Sequence, residues 1–176
     1  AQGVRVIGLN AGEPDFNTPD NIVKACAKAI ENGHTKYVSV TGIMPLREAI
    51  CSKLEKDNNV NYKPNEIVVS TGAKQALNNA VLTVCNPGDE GIIPTPCWVS
   101  YVEIVKLAEA VPVLVKTANN FQLDIAAIEK SITPKTKAVI INTPNNPTGA
   151  VYTKESLDAL GRLAVKHDFY IISDEV

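Results

Sequence analysis

Features that mark several common classes of protein are absent from this sequence. Among its 176 residues only two are histidines, and His34 and His167 are too far apart for the usual spacing of metal ligands. The 17 basic and 19 acidic residues nearly balance without forming a basic stripe, so nucleic acid is not an expected partner. No apolar run approaches the roughly 18 residues of a membrane span. We therefore expect neither a metal nor a membrane to be involved.

Cysteine is also scarce, and its four copies do not form a CxxC pair. Cys26, Cys51, Cys85 and Cys97 are widely spaced along the chain. This pattern argues against a disulfide framework and predicts buried free thiols in a reducing cytosol. Neither GxGxxG nor GxxxxGK[ST] occurs, which disfavours a plain dinucleotide-binding sheet and a P-loop.

From Glu66 onward the sequence alternates between strand-like and helix-like segments. The predicted strands are "EIVVST", "EGIIPT", "VPVLV", "KAVIIN" and "FYIIS", and the intervening segments show helical periodicity, with Asp124 as a predicted helix cap. Such alternation implies right-handed crossovers and a mostly parallel sheet with helices on both faces. The sequence therefore predicts a three-layer α/β/α fold.

The first 60 or so residues lack this alternation and are expected to pack as a smaller unit. A short strand is predicted over Val4 to Leu9. A helix is predicted from an N-cap at Thr18 to a stop at Gly33, and Pro45 opens a second helix that ends near Asp57.

Four polar segments follow predicted strands, where ligands collect in parallel sheets. They are "STGAKQ" (70–75), "PTPCW" (94–98), "NTPNNPTG" (142–149) and "SDE" (173–175). The start of the helix at Ala73 could bind phosphate through its unpaired amides and Lys74, or could be an ordinary turn with a solvated lysine.

The other polar positions have two interpretations each. Trp98 could stack on an aromatic ring or fill the core, and Asn146 could bind a ring oxygen or stabilise a turn. Asp174 could cap a helix or pair with a cationic ring nitrogen. Taken together these groups suit a phosphorylated pyridine with a ring oxygen, and pyridoxal phosphate has these features.

Six segments in this order resemble the class I/II aminotransferases of the fold-type-I pyridoxal-phosphate superfamily. They are "GLNAGEPDF", "KYVSVTGIMPLREAI", "STGAKQAL", "NPGDEGIIPTPCWVSY", "INTPNNPTGAVY" and "YIISDEV", and the prokaryotic-type aspartate aminotransferase subgroup is the most similar. The resemblance covers nearly the whole chain. It implies that residues 1–35 are an N-terminal segment of the small-domain or interdomain region, and that residues 36–176 are part of the large, pyridoxal-phosphate-binding domain.

The resemblance also implies roles for individual residues. Ala73 and Lys74 would give backbone contacts to the cofactor phosphate, and Trp98 would stack on the pyridine and contact the substrate. Asn146 would bond the 3-oxygen of the ring near the substrate carboxylate, and Asp174 would hold the pyridinium proton. The backbone of Gly12 would bind the substrate carboxylate. Tyr37 would reach the phosphate in a neighbouring subunit, so a cytoplasmic homodimer acting on an amino acid and a 2-oxo acid is expected.

Three positions depart from the family pattern without removing a cofactor contact. Cys97 stands where an aromatic residue is common, Gly91 interrupts an apolar run, and Ala73 replaces a frequent glycine.

The resemblance places three functional groups C-terminal to the "SDE" segment: the Schiff-base lysine, a tyrosine shortly after it and the arginine that binds the α-carboxylate. We therefore expect a fragment that is inactive alone. Carbon–sulfur lyases and aminocyclopropane-carboxylate synthases share the same motifs and are alternatives within the enzyme class. An aminotransferase-like regulatory domain is the alternative outside it, although nothing basic precedes Val4.

Overall fold

The computed structural model describes residues 12–175. The strand predicted over Val4 to Leu9 lies outside this range. The chain divides into two compact units, Ala1–Ser39 and Val40–Val176.

The N-terminal unit contains helix α1, Asp20–Glu31. The helix begins one residue later than predicted, with Pro19 rather than Thr18 at the cap position. It ends in a Schellman motif, since the amides of Gly33 and His34 donate to the carbonyls of Ile30 and Ala29. Gly33 has a φ of +77° there, a conformation that favours glycine, and the predicted stop at this residue is confirmed.

The C-terminal unit alternates helices and strands through most of its length. Its helices are α2 (Met44–Asn58), α3 (Ala73–Val84), α4 (Val99–Leu107), α5 (Ile125–Ser131) and α6 (Lys154–His167), and 3-10 turns lie at Pro64–Glu66 and Asn119–Phe121. Its strands are β1 (Glu90–Thr95), β2 (Val111–Lys116), β3 (Thr136–Asn142) and β4 (Tyr170–Asp174). The predicted cap of α5 is confirmed, because the Asp124 carboxylate accepts the Ala127 amide at 2.9 Å.

The four strands form one parallel sheet in the order β2-β1-β3-β4. Val139 lies opposite Ile171 in β4, and Asn142 opposite Asp174. The chain passes from β1 to β2 on one side, while β3 pairs with the other side of β1. The point where the order reverses therefore lies between β1 and β3.

Successive residues of the central strands feed two separate hydrophobic cores. Ile93, Ala138 and Ile140 pack with helices α3 and α4 on one face. Ile92, Val139 and Ile141 pack with α5 and α6 on the other. This alternation follows from the two-residue repeat of a strand, and it gives the three-layer α/β/α architecture that the sequence predicted.

One predicted strand is wrong. Within "EIVVST" (66–71), Glu66 closes a 3-10 turn and no residue joins a ladder of the described sheet. The backbone is extended at Ile67, and the Val69 amide donates to the Thr41 carbonyl at 3.1 Å. Apolar, β-branched residues favour an extended backbone, but a strand requires a partner that supplies its hydrogen bonds.

The cysteines are unbridged, as predicted, but they are not uniformly buried. Cys85 is buried, Cys51 and Cys97 are half-buried, and Cys26 is exposed on α1. Burial raises the pKa of the Cys85 and Cys97 thiols, which keeps both protonated near neutral pH. Within residues 12–175 no three potential metal ligands cluster, and no helix is long and apolar enough to cross a membrane.

Candidate functional site

The carboxyl edge of the sheet brings together three of the predicted polar segments. Trp98 follows β1 and lies at the N-terminal cap position of α4, Asn146 lies in the loop after β3, and Asp174 is the last residue of β4. Parallel strands all end at the same edge, so their following residues share one side of the domain. The reversal point between β1 and β3 is where an open α/β sheet forms a crevice.

The start of α3 has the properties of an anion site. Gly72 takes a φ of +81° at the cap position and turns the chain so that the helix begins at Ala73. No side chain caps this helix, so its first amides remain available as donors at the positive end of the helix dipole.

Ala73 and Asp174 border the same cavity, of about 590 Å³. Leu77 of α3 and Ile172 and Ser173 of β4 also line it. The first residue of α3 and the last residue of β4 thus line one space, whereas Lys74, Trp98 and Asn146 are not among the residues that border it. This pair of groups can bind a ligand with an anionic end and a cationic end.

Lys74 is turned toward the tryptophan. Its ammonium nitrogen lies 5.0 Å from the centre of the Trp98 ring, within the range of a cation–π contact. Trp98 is half-buried and is therefore neither fully in the core nor fully exposed.

Asp174 has a partner that the sequence did not indicate. The Tyr101 hydroxyl donates to Asp174 Oδ2 at 2.6 Å. Tyr101 lies one turn of α4 after Trp98, and the two rings meet edge to face with centroids 5.4 Å apart. Burial, followed by the hydrogen bond to Asp174 and its negative charge, raises the pKa of Tyr101 far above its usual value. The tyrosine therefore stays neutral and donates.

A second unpredicted residue links Asp174 to Asn146. The buried side chain of Asn142 donates from Nδ2 to the Asp174 carbonyl at 2.9 Å and accepts the Asn146 amide on Oδ1 at 2.6 Å. Both polar ends of one side-chain amide thus link the end of β4 to the loop after β3. Asn146 itself is exposed.

Gly12 and Tyr37 belong to the N-terminal unit. Both are exposed there, and a Cβ added to Gly12 would meet no atom within 4 Å. The roles that the resemblance implies for these two residues stay predictions.

The residues of the C-terminal unit fit pyridoxal phosphate. The uncapped amides of α3 and the nearby Lys74 can bind a phosphate, and the Asp174 carboxylate can accept a proton-bearing ring nitrogen. Ala73 and Asp174 border one cavity.

The chain is similar along its length to known aminotransferases. A family model described as aminotransferase class I and II matches residues 4–176. The chain is 49% identical to an aspartate aminotransferase of Bacillus sp. strain YM-2 over 100% of its own length and 45% of that protein. It is 49% identical to an aspartate/prephenate aminotransferase of Thermus thermophilus, over 99% of its own length and 46% of that protein.

Solved structures give the same result for the fold. An aspartate aminotransferase from Thermus thermophilus with maleate superposes with a TM-score of 0.95 at 48% identity, over 99% of this chain and 46% of that one. An alanine aminotransferase from Pyrococcus furiosus superposes with a TM-score of 0.93 at 36% identity, over 98% and 45%. The chain thus spans less than half the length of these relatives.

The matching family model, the level of identity and the shared fold lead to one conclusion: this chain belongs to the class I and II aminotransferase family.

Proposed function

We propose that the protein carrying this chain is a pyridoxal-phosphate-dependent aminotransferase. It transfers the amino group of aspartate or a similar amino acid to a 2-oxo acid. The observation that carries the proposal is the placement of the Ala73 helix start and the Asp174 carboxylate around one cavity in a chain of this family.

In this proposal each residue of the C-terminal unit has a defined role. The Ala73 and Lys74 amides bind the phosphate, and Trp98 stacks on the ring. Asn146 bonds the ring oxygen and lies near the substrate carboxylate, while Asp174 keeps the ring nitrogen protonated. Pyridoxal phosphate, when bound, supplies a ring that takes up electron density from the substrate carbon.

The proposal also covers the N-terminal unit and the division of the chain into domains. Gly12 binds the substrate carboxylate through its backbone, and Tyr37 reaches the phosphate of a neighbouring subunit in a cytoplasmic homodimer. Residues 1–35 belong to the small-domain or interdomain region, and residues 36–176 to the large domain. The names of the relatives support the proposal that aspartate or a similar amino acid is the amino donor.

The proposal is tested by assaying the purified full-length gene product with pyridoxal phosphate. We expect amino transfer from aspartate to 2-oxoglutarate, with prephenate as a second acceptor to be tested because relatives carry that name. Cystathionine is supplied in parallel. Cleavage of cystathionine without amino transfer would place the protein among the carbon–sulfur lyases and contradict the proposal.

The role of Asp174 is tested by replacing it with alanine in the same protein. A charge-assisted hydrogen bond contributes about 1.5–3 kcal/mol, so Asp174→Ala should lower turnover by roughly tenfold or more. Asp168→Ala, at the end of α6 and outside the cavity, is a matched control that should leave turnover near the wild-type value. An Asp174→Ala variant as active as the wild type would refute this role.

A further inference from the structure

Tyr101 of α4 is hydrogen-bonded to Asp174 at the end of β4, 73 residues further along the chain. It projects from α4, is only 2% exposed, and packs in the same core as Ile104 and Ile140. Its hydroxyl donates to Asp174 Oδ2 at 2.6 Å, a short distance typical of a bond to a charged acceptor. The ring is held by packing and the hydroxyl is aimed at one oxygen.

The bond leaves the second oxygen of the carboxylate for another donor. Among residues 12–175 no group donates to Asp174 Oδ1 in the structure. The Asn142 amide fixes the same residue through its backbone carbonyl at 2.9 Å. The strand end is therefore fixed by Asn142, and the rotation of the carboxylate is fixed by Tyr101.

Tyr101 also contacts Trp98, the residue predicted to stack on the cofactor ring. Trp98 meets Tyr101 edge to face at an interplanar angle of 82°. Tyr101 thus contacts two groups of the proposed site. One is Trp98, which would set the plane of a stacked ring, and the other is the Asp174 carboxylate. Shifting Tyr101 would disturb both groups together.

We propose that Tyr101 is a positioning residue that holds the Asp174 carboxylate turned so that Oδ1 can accept a hydrogen bond from the cofactor's ring nitrogen. This inference rests on the proposed function, since it assigns Asp174 to that nitrogen. Tyr101 itself does not touch the cofactor in this proposal.

The test replaces Tyr101 by phenylalanine in the full-length gene product. This change removes the hydroxyl and keeps the ring against Trp98. We expect the Kd of the apoprotein for pyridoxal phosphate, measured by equilibrium dialysis, to rise by roughly tenfold, the lower end of the effect of one charge-assisted bond. We also expect kcat to fall by a similar factor with little change in the KM for the amino acid.

Tyr170→Phe is the control. Tyr170 begins β4, whereas Asp174 ends it, and its side chain is exposed. Removing its hydroxyl should leave the Kd and kcat near their wild-type values. If Tyr101→Phe behaved like Tyr170→Phe in both measurements, the bond to Asp174 would be only structural and the proposal would be overturned.

A double-mutant cycle with Asp174→Ala separates this inference from the proposed function. If Tyr101 acts through the carboxylate, Tyr101→Phe should have little further effect on Kd or kcat once Asp174 is alanine. An equal loss in both backgrounds would overturn the positioning role while leaving the role of Asp174 intact. An Asp174→Ala variant with wild-type Kd and kcat would instead refute the proposed function, and with it the reason for positioning this carboxylate.

A measurement on the unmodified protein covers the case in which the variants fold poorly. The buried Tyr101 hydroxyl proton should exchange slowly and be observable by NMR in the apoprotein. Its resonance should shift when pyridoxal phosphate is added, because its acceptor then gains a second donor. An unchanged resonance at saturating cofactor would contradict the proposal.

Discussion

The side-chain amide of Asn142 links the end of β4 to the loop after β3. It is 2% exposed, and its two polar atoms bond the backbone of Asp174 and of Asn146. A buried polar group without a partner costs about 1–3 kcal/mol. Asn142→Ala should therefore lower the free energy of unfolding of the full-length protein by about 2 kcal/mol and also weaken pyridoxal phosphate binding, as measured by urea denaturation and equilibrium dialysis.

Thr153→Ala separates lost stability from lost positioning. Thr153 caps α6 by accepting the Ser156 amide at 3.3 Å, and removing such a cap costs roughly 1 kcal/mol. This variant should be less stable than the wild type yet bind the cofactor with unchanged Kd. Equal Kd values for Asn142→Ala and the wild type would show that Asn142 serves the fold alone.

Residues whose partners are close in sequence were predictable, and those with distant partners were not. Asp124 stands three residues before the amide that it caps, so its role follows from a local pattern. The bond between Tyr101 and Asp174 spans 73 positions, and no local pattern indicates it. Asn142 lies in a segment that the sequence marked as polar. Its bond to the Asp174 carbonyl, however, depends on how β3 and β4 pair.

At the scale of elements, Gly91 explains how closely α4 packs on β1. A Cβ at this position would lie 3.1 Å from Cγ2 of the fully buried Val105, closer than side chains normally approach. The departure from the family pattern at Gly91 therefore coincides with a close contact between the helix and the strand. A larger residue has no room unless Val105 moves.

Gly91→Val should accordingly destabilise the full-length protein by about 1–3 kcal/mol through overpacking. The second change Val105→Ala, which removes the crowded methyl groups, should restore part of the loss when added to Gly91→Val, although it destabilises the wild type by opening a cavity. Thermal unfolding midpoints of the four proteins give the coupling. Strictly additive losses would mean that the two residues do not compete for the same space.

Element prediction succeeded where a segment carries its own pattern and failed where pairing decides. Four strands, β1 to β4, lie where alternation with helices placed them. The segment at 66–71 has equally apolar, β-branched residues but joins no ladder of the described sheet. Whether an extended segment becomes a strand depends on a neighbour, and the segment's own residues do not reveal that neighbour.

At the scale of the whole molecule, the architecture follows from a general rule and the site follows from the architecture. Right-handed crossovers between parallel strands leave few arrangements for an alternating chain. They bring residues as distant as Ala73 and Asp174 to one cavity. The sequence could thus indicate a shared edge of the sheet, whereas the contacts of Tyr101 and Asn142 with Asp174 join segments that are far apart in the sequence.

A ligand that binds only the folded protein stabilises it, and at a fixed concentration the stabilisation grows with the affinity of the ligand. Pyridoxal phosphate at about 100 times its Kd should stabilise the full-length apoprotein by about 2.7 kcal/mol, which a thermal unfolding scan detects as a raised Tm. Pyridoxal at the same concentration should raise Tm much less, because it lacks the phosphate that the start of α3 and Lys74 are proposed to bind. Lys74→Ala removes the ammonium group beside the helix start but keeps the backbone amide, so it should narrow the difference in Tm between the two ligands only in part. Lys135→Ala, in the turn that precedes β3, should leave that difference unchanged. Equal stabilisation by pyridoxal and pyridoxal phosphate would mean that the helix start does not bind the phosphate, and the assignment of Ala73 and Lys74 would then be wrong.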